Sequence, residues 1–385
     1  MQKIATFHHN EYECDPEVIV SAPGRFHLLG DHTWFAKGNT LSMAINYSLF
    51  LCISVRPDQN FRLYSVSLDE RKKISSSNLK YRKEDRWANS VKAVISSFME
   101  YGIQVPGLNV TILSEIPADA GLGTPNALKV ATALALRKLF APQLNDATVV
   151  SLLERANTQF LKTNSHRADI LCAMYSREGY CVKTDHHKVT AELVHFPKEG
   201  YSVFLTDSRV PRLLAREELA ARIQECIHAY EVVKTDPDAP PDFNLLTEEI
   251  LEEIIDIPES VRRRVIFIIR ESESVREAVT ALTNRDFFTF SRIVNRSHEG
   301  LRDRFEISCP ELDWLVKRAL EFILPDEPDL VCSRMTGRGF GGCTYAILRE
   351  KDGPSYLQKL DEYERIFGFK PVRYQVTPSD GARVL

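Results

Sequence analysis

The sequence predicts an α+β protein of two domains, on three observations. Its 385 residues are 44% hydrophobic, enough to bury one large core or two ordinary ones without disulfide or metal staples. Short alternating runs that read as strands occur in both halves, with stretches of helical period between and after them. The Pro- and Asp-rich tract "KTDPDAPPD", Lys234 to Asp242, reads as an exposed loop within the second half rather than a linker. The boundary is therefore expected near Asp185 to Gly200, giving domains 1–190 and 191–385.

Strands are expected at Glu17 to Ser21, Tyr47 to Val55, Gly107 to Leu113 and Tyr180 to Lys183. Between the last two, "ALKVATALALRKLF" puts Leu128, Ala131, Leu134 or Ala135 and Leu139 on one helical stripe. A second helix follows in "DATVVSLLERANTQFL", with Val149, Leu152, Leu153, Ala156 and Phe160 in register and Asn145 or Asp146 as its cap. A fresh strand, Tyr201 to Ser208, opens the second half. Helices follow at Leu213 to Val233, Leu246 to Glu253, Ser260 to Leu282, Phe287 to Arg296 and Cys309 to Phe322, and strands at Cys343 to Leu348 and Lys370 to Pro378 close it.

Charge narrows the function. Lys and Arg number 49 against 53 Asp and Glu, a net of -4 without a basic block, so nucleic acid is not an expected partner. No apolar stretch approaches the roughly 20 residues of a membrane span, and "MQKIATFHHNEYECDPE" lacks the apolar core of a signal peptide. The eight cysteines are scattered without a CxxC pair, which suits buried thiols in a reducing compartment. A cytoplasmic monomer with small-molecule partners is the expectation.

Three constellations carry chemistry. "SAPGRFHLLGDHTWF", residues 21–35, gathers Arg25, His27, Asp31 and His32 on a Gly-punctuated stretch. Its spacing only partly suits a metal, because Pro23, Gly24 and Gly30 oppose a continuous helix; a clamp for an anion or polyol and a solvated turn both remain open. "SEIPADAGLGTPNALKV", Ser114 to Val130, carries Gly121 and Gly123 ahead of a helix beginning near Thr124 to Asn126, with Pro125 suited to its first turn. Unpaired amides and the helix dipole there make an anion site, although no Gly-Lys-Ser/Thr follows as in a Walker loop; an ordinary connection explains it equally well. "SRMTGRGFGGC", Ser333 to Cys343, contains GxGxxG at Gly337, Gly339 and Gly342, but it leads into a strand rather than opening a helix, which argues against a dinucleotide fingerprint. Two glycine-dense loops and a charged clamp point to a nucleotide-dependent enzyme.

In this order the three loops resemble the signatures of the GHMP small-molecule kinases, those containing galactokinase, homoserine kinase, mevalonate kinase and phosphomevalonate kinase. Galactokinases are the most similar: "GRFHLLGDHTWF" follows their GRVNLIGEHTDY without a gap, and "RMTGRGFGGC" differs from RMTGGGFGGC at one position. "NRSHEGLRDRFEISCPELDWLV", Asn295 to Val316, is similar to the galactokinase stretch before that motif. The resemblance implies a two-domain GHMP fold around a cleft, the first domain with a left-handed βαβ unit and the second ferredoxin-like. It implies ATP, Mg2+ and transfer of the γ-phosphoryl group to a sugar's anomeric hydroxyl.

By the same resemblance Arg25 and Asp169 are the catalytic pair, Asp169 on the offsets of Gly179 and Asp185. Asp31, His32, Trp34 and His166 are the sugar-facing positions, and Gly121, Leu122, Gly123, Thr124, Asn126, Gly337, Gly339 and Gly341 bind nucleotide. Thr124 is the one hydroxyl retained for the metal. The chain departs from the pattern at four places. Asp31 stands for a glutamate, Trp34 for the aspartate that grips ring hydroxyls, His166 for a glycine, and "GLGTPN" for GLSSSA. Tryptophan offers one donor and no acceptor, so a bidentate polyol contact is lost. A kinase for galactose or a related sugar is the leading expectation; the alternative is an impaired homologue that binds ligand as a sensor or regulatory partner.

Overall fold

The computed structural model describes residues 2–197, 199–253, 256–324 and 330–385. The chain forms two compact units, Met1–Arg25 with Ala44–Glu178 and Ser379–Leu385, and Phe26–Met43 with Gly179–Pro378. Each unit is discontinuous, unlike a single cut at 190/191. Two strands account for this, because each starts in one unit and ends in the other.

The elements of the first half are α1 (Gln2–Tyr12), β1 (Val18–Leu29), β2 (Asn39–Arg56), β3 (Asn60–Ser65), β4 (Glu70–Ser75), α2 (Ala88–Glu100), β5 (Gly107–Ser114), α3 (Thr124–Phe140), α4 (Asp146–Arg155) and α5 (Arg167–Tyr175). The second half holds β6 (Tyr180–Asp185), β7 (Thr190–His195), β8 (Tyr201–Asp207), α6 (Ala215–Val233), α7 (Glu248–Glu253), α8 (Glu259–Thr283), α9 (Phe287–Asp303), α10 (Pro310–Leu320), β9 (Cys332–Thr336), β10 (Cys343–Arg349), α11 (Gly353–Lys359), α12 (Tyr363–Phe367), β11 (Val372–Val376) and β12 (Arg383–Val384).

In the first unit the strand order is β12-β1-β2-β5-β3-β4, with β2 antiparallel to β5 from Leu49↔Ser114 to Arg56↔Gly107 and β3 parallel to β5. Helix α3 is buried from Asn126 through Leu136, so the single stripe expected from its sequence understates it: α2, α4 and α5 all pack against it. Asn145 does cap α4, its side chain accepting from the Thr148 amide at 2.9 Å. β1 runs past the expected Ser21 to Leu29, which places Arg25 and His27 on a strand, not a turn. Helices α1, α2, α5, α11 and α12 and strands β3, β4, β7, β9 and β12 lie where the sequence carried no expectation.

In the second unit the first residues of β2 pair with β6, Asn39↔Asp185 to Ser42↔Val182, and β6 pairs with β7. A four-stranded antiparallel sheet follows in the order β11-β8-β10-β9. With its helices, the chain order is strand, helices, two strands, helices, strand, which is the ferredoxin-like arrangement. Helix α8 carries the core beside it through Val265, Ile266, Phe267 and Ile268, packed with Leu301, Phe305 and Leu312. The tract from Lys234 to Asp242 contains no helix or strand. All eight cysteines are free thiols, six of them buried, and no described helix is long and apolar enough to cross a membrane.

Candidate functional site

The first unit assembles its group around Asp169, which stands in the first turn of α5 with its side chain 5% exposed. Arg25 Nε donates to Asp169 Oδ1, and Asn126 Nδ2 donates to Asp169 Oδ2. A carboxylate can only accept, so the amide nitrogen of Asn126 must face it; its buried Oδ1 has no hydrogen-bond partner among the described residues. His166, the residue capping α5 in left-handed conformation at φ 53°, brings Nδ1 to 3.4 Å from Oδ2. Arg25 is itself fixed at two points. Its Nη1 donates to Gly121 O at 3.0 Å, and its backbone amide donates to Leu122 O at 2.9 Å.

The glycine loop is shaped by that arginine. At Gly123, φ 84°, an added Cβ would lie 3.2 Å from Arg25 Cγ, so a side chain there would be strained and would press on the guanidinium stem. Pro125 has no N–H, and the amides of Asn126 and Ala127 turn back onto Gly123 O at 2.9 and 3.0 Å. The amides of Gly123 and Thr124 remain at the positive end of α3, where an anion is favoured. Asn126 was expected at the nucleotide; its side chain instead holds the aspartate.

Behind this group sits a lysine. Lys129, on the same face of α3 one turn beyond Asn126, is 3% exposed and donates Nζ to Asn157 Oδ1. Burial lowers its pKa to about 8 against the opposing field of Asp169. Thr124 gains no carboxylate for a metal: the oxygens of Asp169 face Arg25, Asn126 and His166, and among the described residues no three His, Cys, Asp or Glu converge. Mg2+ in such enzymes is ordinarily held by one or two carboxylates together with substrate phosphates. The Asp169 oxygens are already engaged by Arg25, Asn126 and His166 and so would not serve such an ion.

The second unit holds the other two motifs in one network. Arg334, 0% exposed, has Nη1 2.9 Å from Asp31 Oδ2 and Nη2 2.9 Å from Glu271 Oε1, and its Nε donates to Ser297 Oγ at 2.8 Å. Glu271 also accepts from the amide of Gly30, and Asp31 Oδ1 from the amide of Gly337, at 2.8 and 2.7 Å. Burial would raise the Asp31 carboxyl, but Arg334, His27, His32 and the Gly337 amide outweigh it and hold it near about 2. His32 is stacked on Phe305 at 5.5 Å and directs Nε2 to Gly337 O at 3.1 Å. A carbonyl accepts, so Nε2 carries the proton, and burial lowers the pKa of His32 to about 4.

Asp31, with its side chain 2% exposed, is thus committed to the third glycine loop rather than turned toward a ligand. Trp34 lies half-buried in a short 3-10 turn, edge-on to Phe35 at 5.8 Å. His27 bonds Ser42 Oγ at 2.8 Å and is structural. Gly337, Gly339 and Gly341 all have positive φ in the loop between β9 and β10.

Comparison with known proteins identifies the family. Residues 6–55 match the galactokinase galactose-binding signature, 89–177 the N-terminal domain of GHMP kinases and 278–364 their C-terminal domain. The fold is that of the crystal structure of Lactococcus lactis galactokinase complexed with galactose, at TM-score 0.90 and 21% identity over 100% of this chain and 99% of the other. Methanococcus jannaschii mevalonate kinase follows at TM-score 0.65 and 15% identity, covering 94% and 98%. Fold and motifs therefore define a GHMP small-molecule kinase. A provisionally named galactokinase of Treponema pallidum (strain Nichols) is 64% identical over the whole chain and 97% of its own length. The galactokinase of Thermotoga maritima is 30% identical over 94% of this chain and 99% of its own. The chain belongs to the galactokinase family.

Proposed function

We propose that this protein transfers the γ-phosphoryl group of ATP to the anomeric hydroxyl of galactose or a related sugar. The observation that carries the reading is the Asp169 carboxylate held by Arg25 and Asn126 beside the glycine loop at the start of α3. Asp169 accepts or orients the proton of the attacking hydroxyl, and the Arg25 guanidinium keeps that carboxylate ionised and offsets charge developing on the transferred group. The Gly123 and Thr124 amides and the α3 dipole receive phosphate oxygens. Gly121, Gly337, Gly339 and Gly341 let backbone approach the nucleotide in their own loops.

Within the first unit His166, 29% exposed, is the side chain left to meet a sugar; within the second it is Trp34, since Asp31 and His32 are engaged in that unit's buried network. An indole presents an apolar face and a single donor to a sugar ring, so selectivity rests less on paired ring-hydroxyl bonds than a carboxylate would give. The protein acts in the cytoplasm as a monomer, which sedimentation would show as a 43.9 kDa species. The functional test is ADP release with ATP and a panel of galactose, N-acetylgalactosamine and other hexoses. Turnover on at least one sugar is expected; ADP at background across the whole panel overturns the reading.

A further inference from the structure

Lys129 has no part in the chemistry just described, yet it is the cation most deeply placed beside it. A buried ammonium is costly unless paired or made neutral. Here it donates to a carboxamide, that of Asn157, which lies fully buried in the π-helical stretch Ala156–Phe160. Insertions of this kind are rare and recur at functional positions.

Asn157 passes the contact on. Its Nδ2 donates to Ser165 O at 2.8 Å, and its own carbonyl accepts from the Thr163 amide at 3.0 Å. Those residues lead directly into His166 and the first turn of α5. Lys129 is thus tied, through one amide, to the backbone that presents Asp169. The same helix offers Asn126 to the carboxylate one turn earlier, so α3 grips Asp169 by a hydrogen bond and from behind by a positive charge. Lys129 thus carries its ammonium on the helix whose first turn supplies Asn126 to Asp169.

We propose that Lys129 is a positioning residue for phosphoryl transfer, holding the Asp169 segment through Asn157 and keeping Asp169 in its carboxylate form. The proposal rests on Asp169 being the group that handles the acceptor hydroxyl. The elements packed against α3 and the Asp169 group carry, among others, the following charged groups. From α5 come Asp169 and, at its cap, His166; from β1, Arg25 on Asp169; from α2, Lys92, paired to Asp85; from α4, Glu154, paired to Arg167; and from β12, Arg383, paired to Asp380. Of these, Asp169 is the one whose field favours the charged ammonium.

The test separates this role from simple structural support. In ligand-free protein carrying 13C-labelled aspartate side chains, the Asp169 resonance is assigned by its loss in Asp169→Asn. With Lys129→Met the carboxylate should protonate about one pH unit higher than in the unaltered protein, the size expected for removing one nearby opposite charge. Lys129→Arg should restore it, and Lys129→Gln serves as a second uncharged variant should the methionine form fold poorly. In turnover, Lys129→Met should lower kcat at least about tenfold with KM for ATP within about threefold, and raise the acid limb of the pH profile. An alkaline limb near pH 8 in the unaltered protein should vanish in Lys129→Arg. An Asp169 titration unmoved in both uncharged variants overturns the proposal, even if kcat falls. A protein inactive on every sugar would remove the kinase reading and with it the role in phosphoryl transfer, an outcome distinct from an active protein whose Asp169 titration does not move.

Discussion

The Asp169 carboxylate has three partners, Arg25, Asn126 and His166, and the proposed chemistry rests on it. Asp169→Asn keeps the size of the side chain and removes its capacity to take a proton. It should reduce kcat by about 10²–10⁴, the usual worth of a positioned acid or base, with KM for ATP little changed in steady-state assays. His32 makes a different prediction. Its folded pKa of about 4 lies below the ordinary 6.5, so the unfolded chain binds more protons between those values and stability falls as pH drops from 6.5 toward 4. Asp31, held near about 2 against its ordinary 3.8, withdraws its own contribution only below that window. His32→Gln retains a donor for Gly337 O without the titration, and melting temperatures measured from pH 7 to 4 should decline less steeply than in the unaltered protein.

Among the elements, α3 and the loop after β9 are the ones whose local sequence is most constrained. Helix α3 begins at Gly123 because the left-handed turn there, and Pro125 just inside, prevent an earlier start. The β9–β10 loop is constrained at Gly339, φ 79°, where a Cβ would stand 2.2 Å from Ile307 O, the same carbonyl that accepts from the Phe340 amide at 2.7 Å. Gly339→Ala should therefore destabilise the protein by about 2 kcal/mol or more, by left-handed strain plus backbone collision, read as a lower midpoint in denaturant unfolding. Restoring the wild-type midpoint with alanine in place would show that the loop has room to shift. The Glu271–Arg334–Asp31 chain works between elements. It joins α8 and β9 to the turn after β1, and removing one member of such a buried set strands the others without compensation.

For the whole molecule, ligand binding should register as stability, because a nucleotide that binds only the folded chain adds RT ln(1 + [L]/Kd). A nonhydrolysable ATP analogue at a hundred times its Kd should add about 2.7 kcal/mol, seen as a rise in melting temperature; no rise at saturating analogue would contradict nucleotide binding. At this scale the linear order of residues determined a good deal. Alternation and helical period marked most of the second half's helices and seven of the twelve described strands. The three glycine-bearing motifs were visible because special backbone geometry leaves glycine and proline at fixed spacing; Arg25 lies in the first of them, whereas Asp169 was reached only through the family resemblance, by the offsets of Gly179 and Asp185. Tertiary structure decided what lies far apart in sequence. Asp31 resembled a sugar contact until Arg334, some three hundred positions on, occupied it. Asn126 resembled a phosphate contact until Asp169 met its side chain. Lys129 left a trace, a lone charge in the apolar run "ALKVATALAL", but only its packing reveals the partner. Periodicity is a local property of the backbone, whereas the fate of a buried charge depends on which distant group reaches it.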